Sequence, residues 1–419
     1  MPTPYTEGNG LPADASFFSE RRKSAAGPSL VLEAIRTYGA LSRSDLAEIT
    51  GLSRAAITKI TSAMIAEKML RETEQTDTGT SGRPVQPLEI NDSYAYAAGI
   101  QMRDEYLEFV VIGFAGILRS QHTIDFEHTA HPDEVLPEIK EGLATVTRKA
   151  GLEVTDLVGV GLALPGMIDH QAGMVKFLPG YEAWRNYPIG PKLAGLLNIP
   201  VTVHWRVNAA AIAEMWWGQG KLARNFVYIN IDNGVGMATI VDKRLWFGHE
   251  YAAGMLGHMP VPGCSRRCIC GNRGCLMTLV SIPAHIHLVE EAYKEGVGSV
   301  LTRPLRVTEP HQITFTNLVA AAEAGDRLAC NIFAEVAENL AVAIATVVHL
   351  LNPQLIVLGG QIVEASHLIA DSLKKHVEDH LLGPEYQTVN IAFSELVPSA
   401  ATVGGATLAL DLRHDKFNE

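Results

Sequence analysis

Hydrophobic and polar positions alternate through the first ninety residues in a pattern that predicts helices before strands. In the stretch SLVLEAIRTY, residues 29–38, apolar side chains recur at helical spacing, which predicts a first helix. The stretch SDLAEIT, residues 44–50, predicts a short second helix, with Ser42 or Ser44 available as its N-cap. The chain therefore begins its patterned part with two helices separated by a break.

A third helix and a pair of strands are predicted next. Gly51 permits a turn with a positive backbone angle, and Ser53 is the expected N-cap of a helix over residues 54–70. The apolar face of this helix is formed by Ala56, Ile57, Ile60, Met64 and Ile65. Residues 69–90 then read as a strand, a Gly/Ser/Thr-rich loop and a returning strand. Helix, glycine turn, helix and a two-stranded wing together predict a winged helix-turn-helix.

From Tyr94 onwards strands and helices alternate, and the order of elements occurs twice. The first series is three strands, a helix and a buried strand, at residues 95–102, 106–114, 117–126, 132–150 and 156–166. The second series again opens with three strands and later reaches a buried strand, at residues 225–231, 234–242, 244–250 and 354–360. This order predicts an internally duplicated α/β body with a ligand-binding cleft between its halves.

The patterns divide the chain into three parts. We expect a flexible tail at residues 1–20, a winged helix-turn-helix domain at 21–92 and an effector-binding and oligomerisation domain at 93–419. The last domain is expected to have two lobes, residues 93–205 together with the C-terminal helix, and residues 206–400.

Composition and charge support this division. The chain has 419 residues, 47% of them hydrophobic, and a formal net charge of −12, which argues against nucleic acid as a partner of the whole surface. From Glu20 to Arg71, however, nine basic residues stand against five acidic ones, a net charge of +4. The N-terminus has neither the basic start nor the apolar core of a signal peptide, and we expect a cytoplasmic protein without a membrane partner.

The basic N-terminal segment supplies candidate DNA contacts. Six residues are expected to bind DNA: Arg43, Ser53, Arg54, Thr58, Lys59 and Arg83. Side chains at the start of the third helix can hydrogen-bond base edges or phosphates in a major groove. Arg83, in the loop between the two predicted strands, can enter a minor groove. An ordinary three-helix bundle is the alternative interpretation of the helices, and the predicted wing argues against it.

Four of the five cysteines lie in one loop, HMPVPGCSRRCICGNRGC, residues 258–275. In a reducing compartment such a cluster binds metal more readily than it forms disulfides. Cys268, Cys270 and Cys275 can surround one ion, and His258 and Cys264 compete as the fourth ligand. A set of four protein ligands predicts a structural zinc without an open catalytic position. Cys330 lies alone in a helical pattern, and we expect it in the core.

Several stretches resemble the ROK family of repressors and sugar kinases, which has an actin-like, duplicated ribonuclease-H-type fold. They are GLSRAAITKI, SGRP, GLALPGMID, NIPVTVHWRVNAAAIAE, AGMLGHM, CICGNRGCLM and NPQLIVLGG. They follow one another in the family's order along nearly the whole chain. The resemblance implies that His258 is the fourth metal ligand, that Cys264 is not a ligand and that the metal braces a sugar pocket.

The sequence departs from the kinases of this family at the positions that serve phosphoryl transfer. Arg206 stands where the resemblance places the catalytic aspartate, and arginine cannot act as that base. Residues 101–105, QMRDE, replace the phosphate-binding Asp-x-Gly-x-Thr, and their acidic and bulky side chains disfavour a triphosphate. We therefore expect no kinase activity and no catalytic residue.

The implied sugar contacts have changed as well. The candidate effector-binding residues are Trp205, Arg206, Asn208, Met255, His258 and Met277. Met255 and Met277 occupy positions where the family has glutamates, so the pocket offers fewer hydrogen-bond acceptors and more apolar surface. Arg206 adds a positive charge, and a sugar acid or sugar phosphate fits these residues at least as well as a neutral sugar.

Three functions are compatible with these features. The favoured one is a transcriptional regulator, a repressor of a carbohydrate-related operon, that binds a palindromic site as a homodimer or homotetramer and responds to a small effector. The alternatives are a sugar kinase with an accessory DNA-binding domain and a regulator governed by a protein partner. Exposed apolar surface beside the cysteine loop is the feature that favours the last.

Overall fold

The structure is a computed structural model that describes residues 26–73, 86–103, 105–126, 131–179, 181–302, 313–383, 387–397 and 399–414. The predicted tail, residues 1–20, lies outside the described residues. Two compact units divide the chain. Unit 1 comprises residues Met1–Leu222 and Leu396–Glu419, and unit 2 comprises Ala223–Glu395.

Unit 1 begins with the three predicted helices: α1 (Gly27–Tyr38), α2 (Arg43–Thr50) and α3 (Arg54–Ala66). Ser42 is the N-cap of α2, and its hydroxyl accepts the amide of Asp45, whose carboxylate accepts the amide of Ser42 in return. Gly51 ends α2 in the left-handed conformation with φ 66°. These caps satisfy backbone groups that have no partner within the helix.

The third helix ends earlier than residue 70. Lys68 has φ 62°, which helical residues do not adopt, and the chain turns there into β1 (Leu70–Glu72). This strand pairs antiparallel with β2 (Leu88–Ile90), joining Leu70 to Ile90. The loop between the two strands, residues 74–85, lies outside the described part of the chain.

The main sheet of unit 1 has five strands in the order β5-β4-β3-β6-β9. Their bounds are β3 (Tyr96–Met102), β4 (Tyr106–Gly113), β5 (Leu118–Asp125), β6 (Leu157–Leu164) and β9 (Val201–Trp205). Strands β3, β4 and β5 are antiparallel neighbours, whereas β6 and β9 run parallel to β3. A small hairpin of β7 (Met167–Asp169) and β8 (Met174–Phe177) follows β6.

Four helices accompany this sheet: α4 (Pro132–Lys149), α5 (Ile189–Leu197), α6 (Arg206–Trp216) and α12 (Ala400–His414). Helix α12 approaches its neighbours at backbone distance, because a β-carbon at Gly99 would lie 1.9 Å from the carbonyl oxygen of Thr402. Ala406, Ala409 and Leu410 of α12 belong to the same hydrophobic core as α1, α2 and α3. The N-terminal helices are thus packed on the body of unit 1.

Unit 2 contains a second five-stranded sheet in the order β12-β11-β10-β13-β14. Its strands are β10 (Phe226–Ile231), β11 (Val235–Val241), β12 (Arg244–Trp246), β13 (Leu355–Gly359) and β14 (Asn390–Phe393). Again three antiparallel strands come first and two parallel strands follow. Each sheet has its first strand in the centre, which confirms the predicted duplication of an α/β fold.

The helices of unit 2 are α7 (Met277–Val280), α8 (Ile282–Lys294), α9 (Phe315–Glu323), α10 (Arg327–Leu351) and α11 (Ser366–His380). Helix α10 is long and apolar enough to cross a membrane by length and composition, but half of its most apolar window is buried inside the protein. It carries twelve buried residues and forms the centre of the unit 2 core.

Two expectations about boundaries and burial differ from the structure. Cys330 is exposed on α10 rather than in the core, because it stands one position beyond the buried stripe that contains Ala329 and Ile332. The compact units divide after Leu222, whereas the sequence patterns placed a lobe boundary at residue 205. Helix α6 therefore belongs to unit 1, where it packs on α12.

Candidate functional site

Helix α3 presents one polar face to solvent. Arg54, Thr58 and Lys59 are exposed on it, and Ser62 extends the same face by one turn. Ser53 caps the helix, and its hydroxyl accepts the amide of Ala56 at 3.2 Å. Ile57 and Met64 are buried on the opposite side. The structure thus brings four of the six predicted DNA contacts to one surface.

Arg43 makes contacts within the protein. Its Nε donates to Thr61 Oγ1 at 3.2 Å and its Nη2 to Glu72 Oε1 at 3.0 Å, so the guanidinium joins α2 to α3 and β1. The side chain is about one-third exposed. Arg83, the sixth predicted contact, lies outside the described residues.

The cysteine loop brings together a possible set of metal ligands. One ligand atom from each of His258, Cys268, Cys270 and Cys275 lies within 4.8 Å of all the others. The distance from Cys268 Sγ to His258 Nδ1 is 3.7 Å, and that from Cys270 Sγ to Cys275 Sγ is also 3.7 Å. Cys264 lies apart from this set, with its Sγ 3.6 Å from Thr278 Oγ1.

These distances fit a tetrahedral zinc ion. Bonds of about 2.3 Å to sulfur and about 2.0 Å to nitrogen separate tetrahedral ligand atoms by about 3.5 Å for a sulfur–nitrogen pair and about 3.8 Å for two sulfurs. Burial raises the pKa of the Cys275 thiol to about 12, whereas the backbone amide of Asn272 lowers the pKa of Cys270. A bound cation would keep the Cys275 sulfur ionised at neutral pH.

Backbone geometry explains how so short a loop gathers four ligands. The loop is a hairpin in which Val261 donates to the carbonyl of Gly274 at 2.7 Å and Cys268 to that of Asn272 at 2.9 Å. Gly274 has φ 76°, and a β-carbon there would lie 2.6 Å from the carbonyl oxygen of Cys264. Only glycine fits this position.

Three of the predicted effector residues meet where β9 passes into α6. Trp205 is the last residue of the strand and Arg206 the first of the helix, and both are half-buried. Asn208 follows in the first turn and is 8% exposed. Among the described residues no side chain caps α6, so the partial positive charge of its first backbone amides is not offset by a side-chain acceptor, and Arg206 adds a cationic side chain to the same turn.

A buried histidine precedes this group. The ring of His204 stacks on that of His170 with a centroid distance of 5.5 Å. Burial, with a smaller contribution from the nearby His170, lowers the pKa of His204 to about 3. His204 is therefore neutral at physiological pH and adds no charge beside Arg206. Sequence reasoning did not single out this pair.

The other three predicted effector residues lie in unit 2, around the metal cluster. His258 ends a short helical turn, Leu256–His258, and Met255 immediately precedes that turn. Met277 begins α7 and is 9% exposed, in a hydrophobic cluster that also contains Cys268 and Cys275. Met277, two residues after Cys275, is therefore held in the core beside two of the candidate metal ligands.

Residues 101–105 stand in place of the kinase phosphate loop, and the first side chain of this segment is held by hydrogen bonds. Gln101 is buried, and its Oε1 accepts from Ser399 Oγ at 2.6 Å and from Thr402 Oγ1 at 3.0 Å. The Thr402 hydroxyl also lies within hydrogen-bond distance of the buried carboxylate of Glu108, so that its one hydrogen is shared between two acceptors. Met102 is 2% exposed. These side chains are thus committed to packing at the start of α12, and Asp104 lies outside the described residues.

The geometry agrees with the comparisons with known proteins. The family model described as "ROK family" matches residues 97–412. The chain belongs to the ROK family, and the predicted resemblance is confirmed.

Relatives and solved structures refine this result. The xylose repressor of Caldicellulosiruptor bescii is 24% identical over 375 residues, which cover 90% of this chain and 93% of that protein. A glucokinase of Thermotoga maritima is 29% identical but covers 66% of this chain and 87% of the relative. The crystal structure of a ROK family transcriptional regulator, a homolog of the Escherichia coli Mlc protein, has a TM-score of 0.75 and 29% identity, covering 93% of this chain and 96% of that one.

Proposed function

We propose that this protein is a cytoplasmic, DNA-binding transcriptional repressor of a carbohydrate operon, controlled by a small effector and devoid of kinase activity. The exposed polar face of α3 is the observation that carries the proposal. Arg54, Thr58 and Lys59 project from the start of a capped helix in a basic segment of an acidic chain.

In this proposal residues 21–92 form a winged helix-turn-helix. Helix α3 lies in the major groove, where Arg54 and Lys59 contact base edges or phosphates. Arg83 of the loop between β1 and β2 enters the adjacent minor groove. Since two such modules bind a palindromic operator, the protein acts as a homodimer or homotetramer. Relatives named as repressors match the chain over nine-tenths of its length, which supports this function.

The absence of kinase activity follows from two positions. Arg206 occupies the place of the catalytic base, and a guanidinium does not accept a proton at neutral pH. Gln101 is the first residue of the segment that would hold the phosphates, and its buried side chain accepts hydrogen bonds from Ser399 and Thr402. A kinase with an accessory DNA-binding domain therefore lacks both parts that phosphoryl transfer requires.

The effector is proposed to be a sugar or an anionic sugar derivative. The indole of Trp205 can stack on a sugar ring, Asn208 can donate and accept hydrogen bonds, and Arg206 can pair with a carboxylate or phosphate. Relatives named as xylose repressor and glucokinase support a carbohydrate. Met255, His258 and Met277 are proposed as further contacts on the basis of the resemblance.

The metal is proposed to be a structural zinc held by His258, Cys268, Cys270 and Cys275. The distances among these ligand atoms and the mixed His/Cys donor set support zinc. Four protein ligands leave no open position, and the ion would fix the hairpin between Met255 and Met277. Cys264 is not a ligand in this proposal.

One experiment tests the regulatory function directly. Fragmented genomic DNA of the source organism is captured on the purified protein at moderate salt and sequenced, with and without a panel of sugars, sugar acids and sugar phosphates. We expect a few enriched palindromic sites and their release by one class of compound. If no sequence is enriched over bulk DNA, although the protein is folded and contains zinc, the proposal is contradicted.

A second control mechanism has one observation in its favour. Ile269, at the tip of the cysteine hairpin, is 77% exposed between the exposed Arg267 and Arg273. An apolar residue in this position suits contact with a protein partner. Release from the enriched sites by a cell extract, with no release by the sugar panel, would support control by a partner.

A further inference from the structure

Arg36 of α1 has an uncommon environment for an arginine. Its guanidinium carbon lies 3.9 Å from the ring centroid of Trp216 and 5.4 Å from those of Trp217 and Phe114. Among the described residues, its Nε and Nη2 atoms are buried without a hydrogen-bond partner. Burial lowers the pKa of Arg36 to about 10, although the charges of Asp411 on α12 and Glu33 on α1 oppose this effect, so the group stays charged at neutral pH. Its guanidinium thus combines contacts to aromatic faces with attraction to two carboxylates.

The two sides of this stack belong to the two parts of unit 1 that the proposed function requires. Helix α1 packs through Leu30, Val31 and Ile35 into a hydrophobic core that the DNA-binding helices share with β3, β4 and α12. Trp216 is the last residue of α6, whose first residue is Arg206, a proposed effector contact. The helix has 11 residues, so its two ends are about 16 Å apart.

Helix α6 is closely packed along its length, which disfavours deformation inside the helix. Residues 207–214 are all buried, four of them alanines, and the carbonyl oxygen of Ala209 would lie 1.7 Å from a β-carbon at Gly404 of α12. At the other end the indole nitrogen of Trp217 donates to Thr407 Oγ1 at 2.8 Å. A displacement at Arg206 is therefore carried to Trp216 rather than absorbed inside the helix.

Besides the hydrophobic core that they share, the two parts of unit 1 are connected by directional hydrogen bonds near residue 92. Asn91 Nδ2 donates to the carbonyl of Lys68 at 2.7 Å, and the amide of Ala115 donates to Asp92 Oδ1 at 2.9 Å. Arg119 pairs with the Asp92 carboxylate. These contacts fix the connection near residue 92, whereas a cation over an aromatic face can slide with little loss of energy.

We propose that Arg36 is a positioning residue that transmits a change at the Arg206 end of α6 to the DNA-binding helices. In this arrangement the linker at Asn91 and Asp92 is the pivot, and the stack of Arg36 on Trp216 sets the tilt of α1 and hence of α3. The inference rests on the proposed function, because it assigns a route between the proposed effector contacts and the DNA interface.

A double-mutant cycle tests the route without an identified effector. Arg206→Ala perturbs one end of α6, and Arg36→Met removes the charge at the other while keeping an apolar side chain. In the wild-type background we expect Arg206→Ala to change the dissociation constant for a captured operator by about fivefold or more. In the Arg36→Met background the same substitution should change this constant by less than about twofold. Additive effects would overturn the proposal.

Two further variants separate transmission from folding. Trp216→Phe retains an aromatic face and should leave a reduced but measurable coupling, so it serves if Arg36→Met is unstable. Arg185→Met is the matched control, since Arg185 also lies over an aromatic ring, 5.5 Å from the centroid of Phe177, away from α6. Its effect and that of Arg206→Ala should be additive.

Hydrogen exchange in the absence of DNA distinguishes failure of this route from failure of the proposed function. Arg206→Ala should change amide exchange in α1, and Arg36→Met should abolish that change. If exchange in α1 is unaffected while operators are captured, the route is wrong and the repressor function stands. If no operator is captured, the repressor function fails, and the exchange of α1 still decides whether Arg36 couples the two parts.

Discussion

Gly404 of α12 and Ala209 of α6 touch through their backbones, because a β-carbon at Gly404 would lie 1.7 Å from the Ala209 carbonyl oxygen. A similar contact joins α12 to the sheet, where a β-carbon at Gly161 would lie 1.9 Å from the carbonyl oxygen of Gly405. The last helix of the chain is thus held against α6 and β6 at distances that only glycine permits.

The first prediction concerns this contact. Gly404→Ala should lower the free energy of unfolding of unit 1 by at least about 2 kcal/mol, because a backbone atom has to move to admit the methyl group. Gly195→Ala is the control, since that glycine is exposed in helix α5 with nothing within 4 Å of the added atom. It should stabilise the protein by up to about 1 kcal/mol. Chemical denaturation of both variants provides the measurement.

The metal site gives a second prediction. Cys275→Ser should reduce the zinc content from one ion per chain to near zero and lower the temperature of unfolding, because the buried ligand set loses a thiolate. Metal analysis and calorimetry check both outcomes. Cys264→Ser and Cys330→Ser should retain the ion, as neither belongs to the cluster. Wild-type zinc content in Cys275→Ser would refute the ligand assignment.

The DNA interface gives a third prediction. Arg54→Ala and Lys59→Ala should each weaken operator binding by about 1 to 3 kcal/mol without changing stability, because both side chains are exposed and support no core. Lys140→Ala removes an exposed positive charge from α4 and serves as the control. Equal losses in all three variants would indicate a general charge effect rather than a specific interface.

A fourth prediction concerns acid stability. His285 of α8 is fully buried, with ring centroid distances of 5.6 Å to Phe315 and 6.2 Å to Phe333. This burial lowers its pKa to about 4, and the Val280 backbone offsets only part of the effect. Because the unfolded chain then binds a proton that the native state excludes, stability falls as pH drops from about 6.5 to 4, by up to about 3 kcal/mol.

Replacement of this histidine should remove that part of the acid sensitivity. His285→Leu is expected to lose less stability than the wild type between pH 7.5 and pH 5, as measured by denaturation at both values. His287→Gln, on the exposed side of the same helix, controls for general effects of losing a histidine. Loss of zinc at low pH affects both variants alike, so only the difference between them reports on His285.

Local patterns were sufficient to predict most elements and the clustering of three cysteines, whereas the choice of His258 over Cys264 came from the family resemblance. The caps Ser42, Gly51 and Ser53 act within a few residues of themselves, and the cluster from His258 to Cys275 spans a single hairpin. The repeated order of strands that the sequence predicts is present in the two five-stranded sheets. Each of these features depends on short-range sequence, which periodicity and spacing record.

Features that depend on distant contacts were not predictable. Arg36 is an arginine beside the apolar residues of α1, and nothing near it in sequence indicates the indole of Trp216. The early end of α3 depends on the positive φ of Lys68 and on the pairing of Leu70 with Ile90. The exposure of Cys330 could have been predicted from the sequence, because the buried positions 329, 332, 333, 336 and 337 of α10 define a helical stripe that excludes residue 330.

The position of α12 in the chain also affects how unit 1 folds during translation. Ala406, Ala409 and Leu410 complete the core around the first three helices, yet they are synthesised long after those helices. Unit 2 is continuous in the chain, whereas unit 1 requires both ends. We therefore expect a prematurely terminated chain to expose the apolar side of its DNA-binding helices and to be degraded, so that incomplete translation yields no partial repressor to occupy the operator.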